Sequence, residues 1–130
     1  MEPVDAKGPY DDENVFAKIL RGEIPSTEVY SDEHAYAFVD INPQAPTHVL
    51  VIPRGRYRSW VDFTESAEDA EIAGFIRAVG KVAKSLDVED PGYRLLVNSG
   101  RHAHQMVPHL HVHLFAGRPL GPMLSGGAVG

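Results

Sequence analysis

The stretch from Pro108 to Gly117 constrains the fold most strongly, because histidines alternate there with apolar residues. In a β-strand this alternation puts His109, His111 and His113 on one face, with neighbours about 6.6 Å apart, and the intervening apolar side chains on the other. In a helix, at about 100° per residue, His111 would point almost opposite the other two histidines. The pattern therefore predicts a strand over His109–Phe115 with an apolar back and a front made only of imidazoles.

Weaker patterns predict four more strands and two helices. A short helix should begin at the cap residue Asn14 and end at Gly22. A long helix should follow Ser66, which has Asp69 three residues on, as in a capping box. Together these elements predict an α+β fold with a five-stranded antiparallel sheet, one long helix and one short helix. The further strands are expected at Glu28–Ser31, Ala35–Asp40, Thr47–Ile52 and Tyr93–Asn98.

The chain of 130 residues is long enough for one domain with its own core. We place that domain at residues 14–117, between an acidic N-terminal arm (1–13), expected to be flexible, and a C-terminal tail (118–130). No run of about 18 apolar residues occurs, so we expect no membrane span. The N-terminus lacks the features of a secretory signal and the chain has no cysteine, so we expect a cytoplasmic protein.

The charge balance limits the partners. Twelve Lys and Arg against eighteen Asp and Glu give a net charge of −6 when the histidines are neutral. This argues against nucleic acid as a partner, since a phosphate backbone normally meets a basic patch. A small phosphorylated ligand needs only local donors, which imidazoles and backbone amides can supply.

Three interpretations of the imidazole face compete. It can be a surface or core strand that happens to carry histidines. It can be a zinc site, but residues 101–115 contain no carboxylate to orient the rings, and we expect no metal. It can be a nucleophilic site, because a neutral imidazole can attack phosphorus and the N–P bond formed is readily hydrolysed. We favour the third interpretation, with the central His111 as nucleophile and His48 available from another strand.

Residues 109–115 resemble the His-φ-His-φ-His-φ-φ signature of the histidine triad (HIT) superfamily, in which φ is apolar. Other stretches resemble its histidine triad nucleotide-binding (Hint) branch, in unbroken order over residues 14–122. The resemblance implies a homodimer whose two five-stranded sheets join into one, with no cofactor. The matching stretches are Val15–Ile19, Gly22–Pro25, Phe38–Pro43, Ala45–Pro53, Gly92–Arg94 and Val97–Asn98.

The resemblance also implies an activity, namely hydrolysis of the P–N bond of adenosine or guanosine 5′-phosphoramidates through a nucleotidyl-histidine intermediate. His111 matches the nucleophile, and His109 matches the residue whose backbone carbonyl orients it. His113 and His48 match the positions nearest the phosphate and the leaving group. Asp40 matches the carboxylate that holds the ribose hydroxyls. The remaining nucleotide-binding positions are matched by Val15, Phe16, Ile19, Phe38 and Ile41 around the base, and by Asn98, Gln105 and Val107 around ribose and α-phosphate.

Structural interpretations of these residues stay open. The apolar residues can be core alone, Asp40 can be a turn cap, and Asn98 can close a strand. Two other functions also stay open, a dinucleoside polyphosphate hydrolase and a nucleotide-binding regulatory protein with weak catalysis. The chain departs from the Hint pattern at Met106, where relatives have a serine, and at Asn14 and Ala17, where many bacterial relatives have cysteines of a structural zinc site.

Overall fold

The chain folds into one antiparallel sheet flanked by three helices, as seen in a computed structural model that describes residues 2–124. The strands lie in the order β1-β2-β3-β5-β4. This confirms the predicted α+β fold with a five-stranded antiparallel sheet. Among the described residues, no helix has the length and apolar character needed to cross a membrane. The elements are α1 (Val15–Leu20), β1 (Glu28–Ser31), β2 (Ala35–Val39), β3 (Thr47–Pro53), α2 (Trp60–Ser66), α3 (Asp69–Ser85), β4 (Arg94–Leu96) and β5 (Val112–Ala116).

The two faces of the sheet are covered differently. On one face the apolar stripe of α3 packs on alternate residues of β3 and β5, and forms the main core. On the other face, Leu50 and Ile52 of β3 and Phe38 of β2 pack under Phe16 of α1. Because α1 has only six residues, this second face is only partly covered and has room for a site.

The triad strand starts later than the sequence predicts. β5 begins at Val112, which pairs with Val51, and residues 109–111 lie outside the sheet ladder. The backbone N–H of Leu110 instead donates to the carbonyl of Tyr57 at 2.8 Å. The alternation of side chains still holds within β5, because Val112 and Leu114 face the main core while His113 is half-buried on the other face.

The helices also differ from the prediction. The helix α2 was not predicted; it starts with a capping box formed by Ser59 and Asp62. Ser66, expected to cap the long helix, is instead the last residue of α2. The long helix begins at Asp69 with Glu68 as its cap and without a side-chain capping bond. The extended backbone of Ala67 separates the two helices (φ −72°, ψ 147°).

The N-terminal segment, expected to be a flexible arm, is packed along the domain over residues 2–13. The backbone N–H of Val4 donates to the carbonyl of Gln105, and the Ser59 hydroxyl donates to the carbonyl of Ala6. Arg56 donates two hydrogen bonds to the carboxylate of Asp12. These contacts fix the segment at several points. Of the predicted tail, residues 125–130 lie outside the described residues.

Candidate active site

A cleft of about 490 Å³ lies on the side of the sheet that carries α1. Its walls come from α1, the end of β2 and the loop before β5. The structure brings most of the predicted site residues to this cleft, but His48, His109 and Gln105 are not among those that line it. The predicted residues in the lining are Val15, Phe16, Ile19, Phe38, Asp40, Ile41, Asn98, Val107, His111 and His113.

The cleft is also lined by residues that were not predicted to belong to the site. They belong mainly to loops, where no periodic pattern marks the side chains that turn inwards. Met106, noted only as a departure from the Hint pattern, lines the cleft beside His104, which is exposed and has a left-handed backbone (φ 63°). The others are Ile24, Pro25, Ser26, Val39, Asn42, Gln44 and Leu50.

His111 is held with one ring nitrogen free. Its Nδ1 lies 2.8 Å from the backbone carbonyl of His109, and because a carbonyl only accepts, Nδ1 carries the proton. The lone pair therefore sits on Nε2. The ring is buried and stands edge-on to Phe16, with centroids 5.0 Å apart. Burial lowers the pKa of His111, so the imidazole is neutral and nucleophilic at pH 7.

A chain of hydrogen bonds sets the tautomers of His48 and His113. The backbone N–H of Gln44 donates to Nδ1 of His48 at 3.1 Å, so the proton of that ring is on Nε2. His48 Nε2 lies 2.9 Å from Nδ1 of His113 and donates to it. His113 therefore carries its own proton on Nε2. His113 lines the cleft, whereas His48 lies behind it and contacts the lining residues His113 and Asp40.

His109 and Gln105 lie behind the cleft, where their polar atoms are used by the fold. His109 Nε2 donates to the carbonyl of Pro53 at 2.9 Å, and its ring is fully buried. The Gln105 amide bridges three backbone groups, those of Arg58, Gly100 and Val107. Gln105 therefore shapes the loop before β5 and does not reach into the cleft.

Asp40 follows β2 at the mouth of the cleft. Its Oδ1 accepts the backbone N–H of Asn42 at 2.8 Å, so it does cap a turn, as the structural interpretation held. Its Oδ2 lies 3.4 Å from Nε2 of His48 and still has room to accept hydrogen bonds. Asp40, His48 and His113 each offer one atom that can bind a metal, and these atoms lie within 4.8 Å of one another. Hydrogen bonds from His48 Nε2 to His113 Nδ1 and towards Asp40 Oδ2 also fit these distances.

The rim of the cleft is apolar and exposed. Ile41 is 91% exposed, and Val15 and Val39 are each 38% exposed. Exposed apolar side chains around a cleft with few polar groups fit a flat, largely apolar ligand. Among the residues described as lining the cleft, none is Lys or Arg, so an anionic group would be met by imidazoles, amides and backbone N–H groups.

Burial of the histidines makes stability depend on pH. Desolvation lowers the pKa of His109 to about 4 and that of His113 to about 4, and it also lowers the pKa of His48 and His111. Between pH 4 and 6.5 the unfolded chain binds more protons than the folded one, so the free energy of unfolding rises with pH in that window. From His109 alone, we expect the free energy of unfolding to be about 2 kcal/mol lower at pH 5 than at pH 7.

Urea unfolding at the two pH values measures this difference. Asp12 and Asp32 have a lowered pKa in the folded protein. Their contribution to the free energy of unfolding is lost mainly at pH values below this window, so they change the difference little. Equal free energies of unfolding at pH 5 and 7 would contradict the depressed histidine pKa values.

Comparison with known proteins agrees with this geometry. Residues 21–120 match the family model described as "HIT domain". The chain is 61% identical over 118 residues to a 13.2 kDa HIT-like protein from Azospirillum brasilense, covering 91% of this chain and 97% of that protein. It is 46% identical over 114 residues to the purine nucleoside phosphoramidase of Escherichia coli, covering 88% of this chain and 95% of the relative.

Solved structures give the same result. A histidine triad protein from Clostridium difficile superposes with a TM-score of 0.78 at 37% identity, covering 89% of this chain and 100% of that one. A HIT family hydrolase from Clostridium thermocellum superposes with a TM-score of 0.76 at 38% identity, covering 88% of this chain and 99% of that one. The family match spans most of the chain, and two histidines of the signature, His111 and His113, line the cleft. The chain belongs to the HIT family.

Proposed function

We propose that the chain is a hydrolase that cleaves the P–N bond of purine nucleoside 5′-phosphoramidates through a nucleotidyl-histidine intermediate. One observation carries this proposal. His111, at an apolar cleft, has Nδ1 bound to a backbone carbonyl and Nε2 left with its lone pair. A neutral imidazole held this way is a nucleophile suited to phosphorus.

In the first half-reaction, His111 Nε2 attacks the phosphorus and the P–N bond breaks. The electron pair of that bond goes to the leaving nitrogen, which takes a proton from His113 Nε2. In the free protein, burial favours the neutral form of His113. The negative phosphoramidate opposes that effect, because a nearby opposite charge favours the charged imidazole. As the substrate binds, His113 takes up one proton from solvent on Nδ1, and the Nε2 proton of His48 turns to the carboxylate of Asp40, 3.4 Å away. The products are the free amine and a nucleoside monophosphate bonded to His111.

In the second half-reaction, water attacks the phosphorus of the intermediate. His113, now neutral, takes a proton from that water, and the N–P bond to His111 breaks. The nucleoside monophosphate leaves, and His111 regains its lone pair on Nε2. Water supplies the oxygen, and the proton that it gives to His113 replaces the one that went to the amine, so His113 ends the cycle charged and the protons balance.

The charges of the cleft favour a phosphoramidate over a dinucleoside polyphosphate. A polyphosphate carries several negative charges, which proteins usually neutralise with Lys, Arg or a metal ion. The described lining contains no Lys or Arg, and its ionisable residues are Asp40, His104, His111 and His113. A substrate with a single phosphoryl group fits this set better. The relative from Escherichia coli, a purine nucleoside phosphoramidase, supports the same assignment.

A substrate panel tests the proposal. Adenosine 5′-phosphoramidate, guanosine 5′-phosphoramidate and diadenosine triphosphate are supplied at equal concentration, and release of monophosphate is followed. We expect the phosphoramidates to turn over fastest, and mass spectrometry of quenched enzyme to show a nucleotidyl adduct on His111. Faster cleavage of diadenosine triphosphate would favour the polyphosphate hydrolase. Tight binding of AMP without turnover of any substrate would favour the regulatory protein.

Asp40 is proposed to hold the ribose hydroxyls. Replacing Asp40 with asparagine keeps the shape but removes the charge, so we expect KM to rise by about tenfold. Steady-state kinetics on adenosine phosphoramidate and its 2′,3′-dideoxy analogue separate this role from effects on His48. The wild type and Asp40→Asn should differ much less on the dideoxy substrate. An equal loss on both substrates would contradict ribose binding by Asp40.

The proposal includes a homodimer. β4 is an edge strand of the sheet, and its middle residue Leu95 is 46% exposed. An open edge with exposed apolar side chains is a surface on which a second sheet can pair. The ten-stranded sheet implied by the Hint resemblance would use this edge.

A further inference from the structure

Tyr10 touches the back of the triad from the N-terminal segment. Its hydroxyl lies 2.6 Å from Nδ1 of His109, although 99 residues separate the two in sequence. The rings meet edge-on, with centroids 5.7 Å apart. The guanidinium of Arg56 lies 5.1 Å from the centre of the tyrosine ring, and Asp12 binds Arg56 through two hydrogen bonds. Tyr10 is not among the residues that line the cleft.

The partners of His109 fix the direction of the tyrosine hydrogen bond. The carbonyl of Pro53 can only accept, so His109 Nε2 carries the proton and Nδ1 is an acceptor. The Tyr10 hydroxyl is therefore the donor. Burial raises the pKa of Tyr10, which keeps this proton in place at neutral pH. Both ring nitrogens of His109 are then used, and the ring cannot turn without breaking a buried hydrogen bond.

The backbone of the same residue holds the nucleophile. The carbonyl of His109 accepts the Nδ1 proton of His111 at 2.8 Å, which decides the tautomer of His111. Phe16 stands edge-on to both rings, at centroid distances of 6.4 Å from His109 and 5.0 Å from His111. His109 is therefore linked to the ring of His111 by one hydrogen bond and by the ring of Phe16, which packs on both.

We propose that Tyr10 is a positioning residue, which anchors the ring of His109 and thereby holds His111 in the tautomer and orientation needed for attack. This inference rests on the proposed function, and it gives the N-terminal segment a part in positioning the nucleophile. Buried polar groups with all partners present are rigid, and small displacements of a nucleophile are costly to the rate.

The N-terminal segment has anchors of its own, so the hydroxyl can be removed without detaching it. Arg58 donates to the carbonyls of Asp5 and Pro9, and Ser59 donates to that of Ala6. In a Tyr10→Phe variant a single oxygen atom is lost, and the phenylalanine ring can keep the ring contacts of Tyr10. Such a variant should fold and leaves Nδ1 of His109 without its donor.

Kinetics of Tyr10→Phe on adenosine phosphoramidate give the first test. We expect kcat to fall about tenfold, a fraction of the roughly 10²-fold loss that a 1 Å misplacement can cause. KM should stay within about twofold of the wild type, because Tyr10 does not line the cleft. Tyr30→Phe is the matched control, since that hydroxyl donates to Asp32 away from the triad. An unchanged kcat in Tyr10→Phe would overturn the proposal, whatever happens to the melting temperature.

Hydrogen exchange of the His111 Nδ1 proton gives a readout that does not need turnover. Proton NMR of histidine-labelled protein should show this proton protected in the wild type and in Tyr30→Phe. In Tyr10→Phe we expect it to exchange at least about tenfold faster, because its acceptor is less firmly held. Unchanged exchange would overturn the route through His109 even if kcat falls. A wild type that turns over no phosphoramidate would contradict the proposed function, while the exchange result would still decide the role of Tyr10.

Discussion

Replacing His111 with alanine should lower kcat/KM for adenosine phosphoramidate by about 10⁴-fold or more, the scale seen when a covalent nucleophile is removed. No other described side chain at the cleft shows the same arrangement. His113 and His48 bind each other, and His109 has both ring nitrogens engaged. AMP binding should stay within a few-fold, because the apolar rim and Asp40 are untouched. Steady-state kinetics and calorimetric titration with AMP measure the two effects.

His102→Ala is the matched control for this experiment. His102 is an exposed histidine of the loop before β5, and it is not among the residues that line the cleft. Its activity should match the wild type. Turnover that survives in His111→Ala would exclude a nucleotidyl-His111 intermediate, and an adduct that still forms on the variant would assign the nucleophile elsewhere.

The positions of two candidate histidines could be predicted from the sequence because their side chains follow the pleat of the strands. His113 and His48 lie on the same face because β3 and β5 are regular strands paired in register, with His48 opposite Phe115. The alternation that placed His111 beside His113 also holds, although His111 precedes the strand. The backbone carbonyl of His109 accepts the Nδ1 proton of His111, the contact that the Hint resemblance implies. Its ring lies behind the cleft, bound to the carbonyl of Pro53 and the hydroxyl of Tyr10.

The features that the sequence did not predict leave no periodic pattern in it. The N-terminal segment is acidic and contains Gly and Pro, which is typical of a flexible arm. It is fixed because Val4 pairs with the backbone of Gln105 and Ala6 with the side chain of Ser59. Such pairings leave no periodic pattern. The short helix α2 was missed for a related reason, since seven residues are too few to show a helical repeat.

Replacing His113 with alanine should give the second largest loss, about 10²- to 10³-fold in kcat with an alkylamine as leaving group. The amine leaves with a negative charge on nitrogen unless a proton reaches it, and His113 Nε2 is the donor that the hydrogen-bond chain from Gln44 and His48 sets in place. His48→Ala should cause a smaller loss of kcat on the same substrate. It removes the hydrogen bond that fixes the tautomer of His113, but the His113 imidazole is still present. Single-turnover measurements of amine release follow this step directly.

Two substrates with different leaving groups distinguish loss of the proton donor from damage to the structure of the cleft. The p-nitrophenyl ester of AMP releases a phenolate that is stable without a proton, so a variant that lacks only the donor should cleave it well. We expect His113→Ala to lose less than about tenfold on this ester, against 10²- to 10³-fold on the amine. His111→Ala should fail on both, because the attack on phosphorus is common to them. Equal losses of His113→Ala on ester and amine would mean that His113 shapes the cleft or binds the phosphoryl oxygens, and that the leaving nitrogen takes its proton from another source.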